Sequence, residues 1–294
     1  MDGNATLHAS KRLATIVALL TLTFGLSATQ THAAGVWTNE PSGASVVVDC
    51  PFNSVSGCGI LDAYSSSQIV SDSSAPTSPS SVVKSTFPAG STSGGMQLNY
   101  VTPQLQSEMY VGLIWRTNPE FQGNPGSWSN KMFFMRGPSS NGLLLMYGPT
   151  NGGPYYATFG HNTGGLDNSH ICQMDLGLIC PPNVNPNAAQ LFRGVWTKIE
   201  MYIKKSTTNT SRDGILRWWV NGVLVGNYTT INYAGGGLNE WVWSEAWDGT
   251  FSPNHAEWNH FIDHLHVSLP NGGSSTDQPP GPPANPTIRS VTTP

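Results

Sequence analysis

The chain has 294 residues, of which 10% are charged, and it contains 32 glycines and 22 prolines. Charged residues usually make up about a quarter of a globular chain, so this composition argues against many long helices. The formal net charge is −4. Because a nucleic-acid partner requires a basic surface, the charge also argues against nucleic acid as a partner.

The first 33 residues are typical of an export signal. Lys11 and Arg12 form the positive start, residues 13–26 are apolar, and small residues precede a cut before Ala34. The apolar stretch is shorter than the roughly 20 residues that span a bilayer, and no second one follows. We therefore expect a secreted, extracellular or periplasmic, chain without membrane association. Removing residues 1–33 changes the net charge to −5.

The four cysteines form two pairs with equal spacing. Cys50 and Cys58 are eight residues apart, and so are Cys172 and Cys180. Four cysteines allow three pairings, and proximity in an exported chain favours the two local disulfides. A zinc site is the alternative, but neither pair has the close two-residue spacing of structural zinc ligands.

Candidate strands follow one another at short intervals through residues 34–269, separated by Gly, Pro, Asn and Ser. They are Ser45–Asp49, Gly95–Tyr100, Glu108–Arg116, Asn130–Arg136, Gly142–Tyr147, Pro154–Phe159, Val195–Lys204, Gly214–Val220, Val223–Tyr228, Glu240–Ser244 and Phe261–Leu269. Residues 63–95, rich in Ser and Pro, are expected to run over the surface, and a short helix is expected near 186–191. The pattern predicts a single all-β domain, a two-sheet antiparallel jelly-roll sandwich.

The end of this region carries the strongest local signal. Asn221 and Gly222 stand between two alternating apolar runs, which predicts a hairpin with a type I′ turn. After residue 269 the composition changes to a Pro/Gly-rich segment, 270–294, which cannot bury apolar area. We expect this segment to be a disordered tail or a linker.

Three sequence motifs follow one another in the C-terminal half of the chain: Gly194–Glu200 (GVWTKIE), Asp213–Gly222 (DGILRWWVNG) and Phe261–Ser268 (FIDHLHVS). They resemble the C-terminal half of concanavalin A-like jelly rolls, and within these the polysaccharide lyases of the alginate, glucuronan and heparin-lyase-like kind. The resemblance implies the fold and a glycan partner. The E-x-D-x-x-E strand of related β-glucanases is absent, as are the R-x-E-x-R and Q-I-H motifs of one alginate-lyase family. No catalytic set is therefore transferred.

Four residues are candidates for catalysis by β-elimination: Lys131, Arg136, Tyr156 and His161. Cleaving a uronic-acid chain in this way requires a cation or amide that neutralises the carboxylate and a base that removes the C5 proton. Lys131 and Arg136 lie on one predicted strand, Tyr156 lies on the next but one, and His161 follows the end of that strand. Lys131 and Arg136 are five residues apart, so they point to opposite faces of the sheet unless a bulge lies between them. The alternative is that these are ordinary solvent-facing charges.

Tryptophan beside carboxylates suggests a sugar-binding surface. The candidate substrate-binding residues are Trp115, Arg116, Trp243, Glu245, Trp247 and Asp248. An exposed indole would stack on a sugar ring and a carboxylate would accept hydrogen bonds from its hydroxyls; the alternative is a core filled with tryptophan. As an acid/base pair for glycoside hydrolysis, Glu245 and Asp248 would have to lie roughly 5 to 9.5 Å apart.

The last strand raises the question of a metal. His260, His264 and His266 share one parity and could bind a transition metal, or could form a polar outer face. Asp263 has the opposite parity and points to the core, where it needs backbone N–H groups or a structural cation such as calcium. No other cofactor is expected.

Two functions from different classes fit these observations. The first is a secreted polysaccharide lyase that cleaves a uronic-acid polymer, and the second is a non-catalytic, lectin-like carbohydrate-binding module. A hydrolase that uses Glu245 and Asp248 is a further alternative. In each case the partner is a polysaccharide or glycan, and we expect a monomer.

Overall fold

The computed structural model describes residues 37–63, 67–90, 97–123, 129–138, 140–147, 154–161, 185, 187–233, 237–244 and 256–270. These described residues contain one short 3-10 helix, Ser56–Cys58, and fifteen strands. The strands are β1 (Ser45–Cys50), β2 (Leu61–Asp62), β3 (Gln68–Val70), β4 (Val82–Phe87), β5 (Gln97–Gln106), β6 (Glu108–Thr117), β7 (Ser129–Gly137), β8 (Ser140–Tyr147), β9 (Tyr155–His161), β10 (Gln190–Leu191), β11 (Thr197–Lys204), β12 (Gly214–Val220), β13 (Val223–Ile231), β14 (Leu238–Ser244) and β15 (Trp258–Leu269).

The strands form two sheets. Sheet A has the order β13-β12-β11-β6-β15-β4-β3, and β1 pairs with the end of β15 that β4 leaves open. Sheet B has the order β10-β9-β8-β7-β14-β5-β2. Every pairing between described strands is antiparallel. This is the predicted two-sheet antiparallel jelly-roll sandwich.

All eleven predicted strands are present, with ends that differ by a few residues. The prediction for residues 63–95 was wrong in part, because β4 lies there in sheet A with Val82, Val83 and Phe87 buried. Its flanking Ser and Pro residues hid this strand. The predicted helix near 186–191 is also wrong: residues 187–189 form a turn and Gln190–Leu191 is the edge strand β10.

The core between the sheets is unusually rich in aromatic residues because the inward positions of the strands carry them. Among the residues that the structure describes, the fully buried tryptophans are Trp115, Trp218, Trp241, Trp243 and Trp258. The β12–β13 hairpin turns at Asn221 and Gly222, whose φ angles are 51° and 79°. Both values are positive, as a type I′ turn requires, so the predicted hairpin is confirmed.

A β-bulge in β15 decides which side chains face the core at the end of the chain. The register shifts between Ile262 and His264, so Asp263 is the extra residue. Its buried carboxylate accepts hydrogen bonds from the backbone N–H groups of Thr77 and Ser78, at 2.6 Å each. Burial raises the pKa of Asp263, and these hydrogen bonds oppose that rise. The expectation that backbone donors satisfy this carboxylate is confirmed.

The same bulge separates the histidines of β15. His260 lies in the core, where it accepts a hydrogen bond from the indole of Trp115, whereas His264 and His266 lie on the outer face of sheet A. The prediction that the three share a face was therefore wrong for His260, because simple alternation does not hold across a bulge.

The disulfide between Cys50 and Cys58 is present and ties the end of β1 to the 3-10 helix. The second predicted pair, Cys172 and Cys180, lies outside the described residues. Within the described part of the chain, no helix has the length and apolar character needed to cross a membrane.

Candidate functional site

The outer face of sheet B carries the three candidate catalytic residues whose side chains the structure describes, Lys131, Arg136 and Tyr156. A bulge in β7 makes this possible: the register with β8 shifts between Lys131 and Phe133, so that Met132 is the extra residue. Met132 and Phe133 both pack in the core. Lys131 and Arg136, five residues apart, consequently lie on the same outer face.

Tyr156 lies on this face as well. Its neighbours Tyr155 and Ala157 are buried in the core, so the Tyr156 ring points outward and is half-buried. Lys131 pairs with Leu145 on β8, and Leu145 pairs with Thr158 on β9. Thr158 is the next outward residue after Tyr156. With strands about 4.8 Å apart, the backbones of β7 and β9 are about 10 Å apart, close enough for two long side chains to reach one ligand.

The floor of the site is apolar and closed to solvent. Phe134 and Val242, directly opposite each other on β7 and β14, are 3% and 0% exposed. The guanidinium of Arg136 lies over the Phe134 ring, 4.3 Å from its centroid. This stacking fixes the plane of the guanidinium beside the floor.

A chain of polar contacts continues from Arg136 across the sheet. Arg136 pairs with Glu240 in the strand register, and its Nη1 lies 4.0 Å from Oε2 of that carboxylate. The other carboxylate oxygen, Oε1, accepts a hydrogen bond of 2.7 Å from the side-chain amide of Asn99 on β5. Glu240 and Asn99 were not predicted as site residues, since only the register with β7 reveals that they lie beside Arg136.

The structure separates the other candidates from this face. Trp115 and Trp243 are 1% and 0% exposed and pack against each other between the sheets. The prediction that these two bind substrate is therefore corrected: neither ring presents a face to a glycan. They occupy the inward positions of alternating strands, as the alternative interpretation of a tryptophan-filled core required.

Arg116 lies on the outer face of sheet A, on the other side of the sandwich from Lys131 and Arg136. Its guanidinium is hydrogen-bonded to the carboxylate of Asp72 and lies over the rings of Trp196 and Phe261. Burial opposes ionisation of Asp72, but hydrogen bonds from Ser74 and Arg116 outweigh it and lower the pKa of this carboxyl. Arg116 thus anchors the segment before β4, on the other sheet from Lys131, and its predicted role in substrate binding finds no support in these contacts.

Four further candidates fall outside the described parts. The side chain of His161 at the end of β9, and residues Glu245, Trp247 and Asp248, are not described. Their predicted roles remain predictions.

The outer face of sheet A carries a second polar cluster, covered by the first described residues of the chain. These residues are Trp37–Glu40. Trp37 stacks on His266 and lies directly over Gly112, where any Cβ would overlap its ring. Asn39 donates to the buried carboxylate of Glu200, which also accepts from the phenol of Tyr110.

This second cluster is a structural network. Burial and the neighbouring carboxylate of Glu200 raise the pKa of Tyr110, so the phenol stays neutral and donates its proton. His264 and His266 both contact the carboxylate of Asp49, at 2.7 and 3.3 Å, and His266 also contacts Glu40 at 2.9 Å. Among the described residues, no group of three or more His, Cys, Asp or Glu is arranged to hold a metal ion.

Comparison with known proteins supports the fold. No protein-family model matches the chain, and no curated protein sequence matches it. It is similar to the solved structure of a double mutant of alginate lyase Aly36B in complex with alginate trisaccharide, with a TM-score of 0.53 and 16% identity over 79% of this chain and 95% of that one.

Two other solved structures are similar. Alginate lyase vAL-1 from Chlorella virus gives a TM-score of 0.50 and 15% identity over 76% of this chain and 100% of that one. Endo-β-1,4-glucuronan lyase from the fungus Trichoderma reesei gives a TM-score of 0.48 and 14% identity over 78% of this chain and 95% of that one. At these identities the likeness shows the fold, and the chain has the antiparallel two-sheet jelly roll that its sequence predicted.

Proposed function

We propose that this protein is a secreted polysaccharide lyase that cleaves a uronic-acid-containing polysaccharide by β-elimination. The observation that carries the proposal is the bulge in β7, which places Lys131 and Arg136 on one face of sheet B together with Tyr156. A cation, a second cation and a phenol above an apolar floor are the groups that this reaction uses.

The reaction assigns a role to each group. The substrate carboxylate binds to Lys131, which stabilises the negative charge that develops when the C5 proton leaves, and Arg136, farther along β7, binds the carboxylate of a neighbouring unit. Tyr156, acting in its phenolate form, takes that proton. The electron pair of the broken C5–H bond forms the C4–C5 double bond and the C4–O bond breaks; the leaving oxygen then takes the proton from the Tyr156 phenol, so no water is consumed and the phenolate is restored. The apolar floor formed by Phe134 and Val242 lowers the polarity beneath these groups and strengthens their electrostatic contacts.

The fold and the predicted compartment support this proposal. Two solved structures with the same fold are lyases that act on alginate, a polymer of uronic acids. The export signal predicted for residues 1–33 and the Cys50–Cys58 disulfide both favour an oxidising compartment outside the cytosol. A secreted enzyme of this kind meets its polymeric substrate without transport.

The test is the ultraviolet absorbance of unsaturated uronides, measured on a panel of uronic-acid polymers. Wild-type protein should generate absorbance on at least one polymer, and Tyr156→Phe and Lys131→Ala should each lower the rate by at least a hundredfold, as loss of an acid–base group does. The matched control is Lys84→Ala, a half-buried lysine on β4 of sheet A, which should retain the wild-type rate.

Two results would contradict the proposal. Saturated products would indicate hydrolysis, the reaction that Glu245 and Asp248 were considered for. Tight binding to a polymer without any product would indicate the carbohydrate-binding module. Circular dichroism of each variant separates a lost function from a lost fold.

A further inference from the structure

A short segment before β1 is held on the outer face of sheet A by a few side chains. We call this segment, Trp37–Glu40, the N-terminal strap. The indole of Trp37 stacks on the ring of His266, with the ring centroids 5.4 Å apart. The backbone N–H of Glu40 donates to the carbonyl oxygen of Trp37 at 3.1 Å, so the strap forms a turn over the sheet rather than a further strand. Its attachment therefore depends on side-chain contacts.

The ring of His266 contacts a carboxylate through each of its two nitrogens. Nε2 lies 2.9 Å from Oε1 of Glu40 in the strap, and Nδ1 lies 3.3 Å from Oδ1 of Asp49 on β1. An ionised carboxylate only accepts hydrogen bonds, and a neutral imidazole carries only one N–H. Both contacts are hydrogen bonds only when both nitrogens carry a proton. The geometry therefore requires the imidazolium ion.

The second histidine of this face does not require a second proton. Nε2 of His264 lies 2.7 Å from the same oxygen of Asp49. The other nitrogen of His264, Nδ1, is shielded from solvent and has no hydrogen-bond partner among the described residues. One proton on Nε2 maintains this contact. Burial opposes ionisation of Asp49, but hydrogen bonds from His264 and His266 outweigh it and lower the pKa of this carboxyl, which keeps it an acceptor.

The remaining charged and titratable groups around the strap lie on β11 and β6. Nζ of Lys198 lies 3.3 Å from Oε2 of Glu200 and 5.9 Å from the centroid of the Trp37 ring. The two opposite charges offset each other. Tyr110 lies edge-on to His266, with the ring centroids 6.1 Å apart, and burial raises its pKa, so this phenol stays neutral. His266 is thus the group whose contacts with the strap depend on a change of charge.

We propose that the N-terminal strap is a pH-sensitive device, docked on sheet A while His266 is an imidazolium ion and released when the ring loses its second proton to water. The neutral ring donates to one carboxylate only, so either Glu40 or Asp49 then faces a lone pair. The hydrogen bond that remains is no longer charge-assisted, and Trp37 no longer stacks on a cation. Among the described residues, the carboxylate of Glu40 has no other hydrogen bond or ion pair.

The direction of the pH dependence follows from the number of protons bound. The docked strap holds one more proton on His266 than the released strap does. Docking is therefore favoured at low pH and is lost as the pH rises through the range in which histidine changes its charge. Release uncovers Gly112 and the buried carboxylate of Glu200, which Trp37 and Asn39 cover in the docked state.

The experiment measures hydrogen exchange of the residue-40 backbone amide at pH 6 and pH 8.5, expressed as a protection factor so that the intrinsic pH dependence of exchange is removed. In the wild type this protection should fall about tenfold at the higher pH, the difference between a charge-assisted and a neutral hydrogen bond. Glu40→Gln needs only one N–H on Nε2 and should show little change between the two pH values. His266→Gln does not titrate and should show low protection at both.

The matched control is Glu257→Gln, the same substitution at an exposed carboxylate next to β15, which should keep the wild-type fall in protection. Nuclear magnetic resonance of the His266 ring should find a proton on both nitrogens at pH 6. A single ring proton at that pH, or equal protection of residue 40 at both pH values in the wild type, would overturn the proposal. A fall that persists in Glu40→Gln would also overturn it, and this variant decides the question even if His266→Gln fails to fold.

Discussion

His260 should make the protein sensitive to acid. The ring lies in the core between Trp115, Phe121 and Trp243, and burial lowers its pKa to about 3 from the usual 6.5. Its Nδ1 accepts the indole N–H of Trp115 at 3.2 Å. Protonation would place a second donor against that N–H, so the hydrogen bond exists only with the neutral ring.

The direction and size of this acid sensitivity follow from the difference in proton binding between the unfolded and the folded chain. Between pH 6.5 and about 3 the unfolded chain binds a proton at His260 and the folded chain does not. The contribution of the neutral His260 to the free energy of unfolding is therefore fully present above pH 6.5. It falls by about 1.4 kcal/mol for each pH unit below that, which gives a loss of about 2.7 kcal/mol at pH 4.5. Carboxylates also contribute in this range, so the quantity to compare is the difference between wild type and a variant.

The assay is urea unfolding of wild type and His260→Gln at pH 7 and pH 4.5. Glutamine does not titrate, and its side-chain oxygen can accept the N–H of Trp115. The wild type should lose about 2–3 kcal/mol more than the variant between the two pH values. An equal loss in both proteins would show that the buried ring does not control acid stability.

Three further predictions concern stability and are measured by thermal or urea unfolding. Trp243→Ala should cost about 3–5 kcal/mol because the ring is buried in the core; a fold that survives with normal stability would place the ring at the surface after all. Replacing Cys50 and Cys58 together by serine should cost about 2–3 kcal/mol, the value expected for so small a loop, and an unchanged midpoint would contradict this. Gly222→Ala should cost about 1 kcal/mol, since φ is 79°; no loss would mean that the turn can change type.

Local patterns in the sequence predicted the fold well. The alternation in Thr197–Lys204 and the turn at Asn221 and Gly222 are properties of neighbouring residues, and they identify strands and a hairpin directly. The strand β4 was missed because Ser and Pro on both sides of Val82–Phe87 dominate the composition of that region. Its identity as a strand comes from pairing with β15, a partner about 175 residues away.

The candidate site could be predicted only in part, because bulges and register decide it. The spacing of Lys131 and Arg136 gives opposite faces by alternation, and only the extra residue Met132 brings them together. Trp243 alternates correctly, but a sequence cannot tell which of the two faces of a strand is inside when both carry large side chains. Glu240 became part of the site only through its pairing with Arg136.

The measurement that tests the central claim most directly is the mass of the products that the wild-type protein releases from a uronic-acid polymer in oxygen-labelled water. Elimination takes no oxygen from water, so the account predicts products that end in an unsaturated uronide, are one water lighter than hydrolysis products, and carry no label. Saturated products that contain the label, or a polymer that is bound but never cleaved, would contradict the assignment of Lys131, Arg136 and Tyr156 to a lyase site.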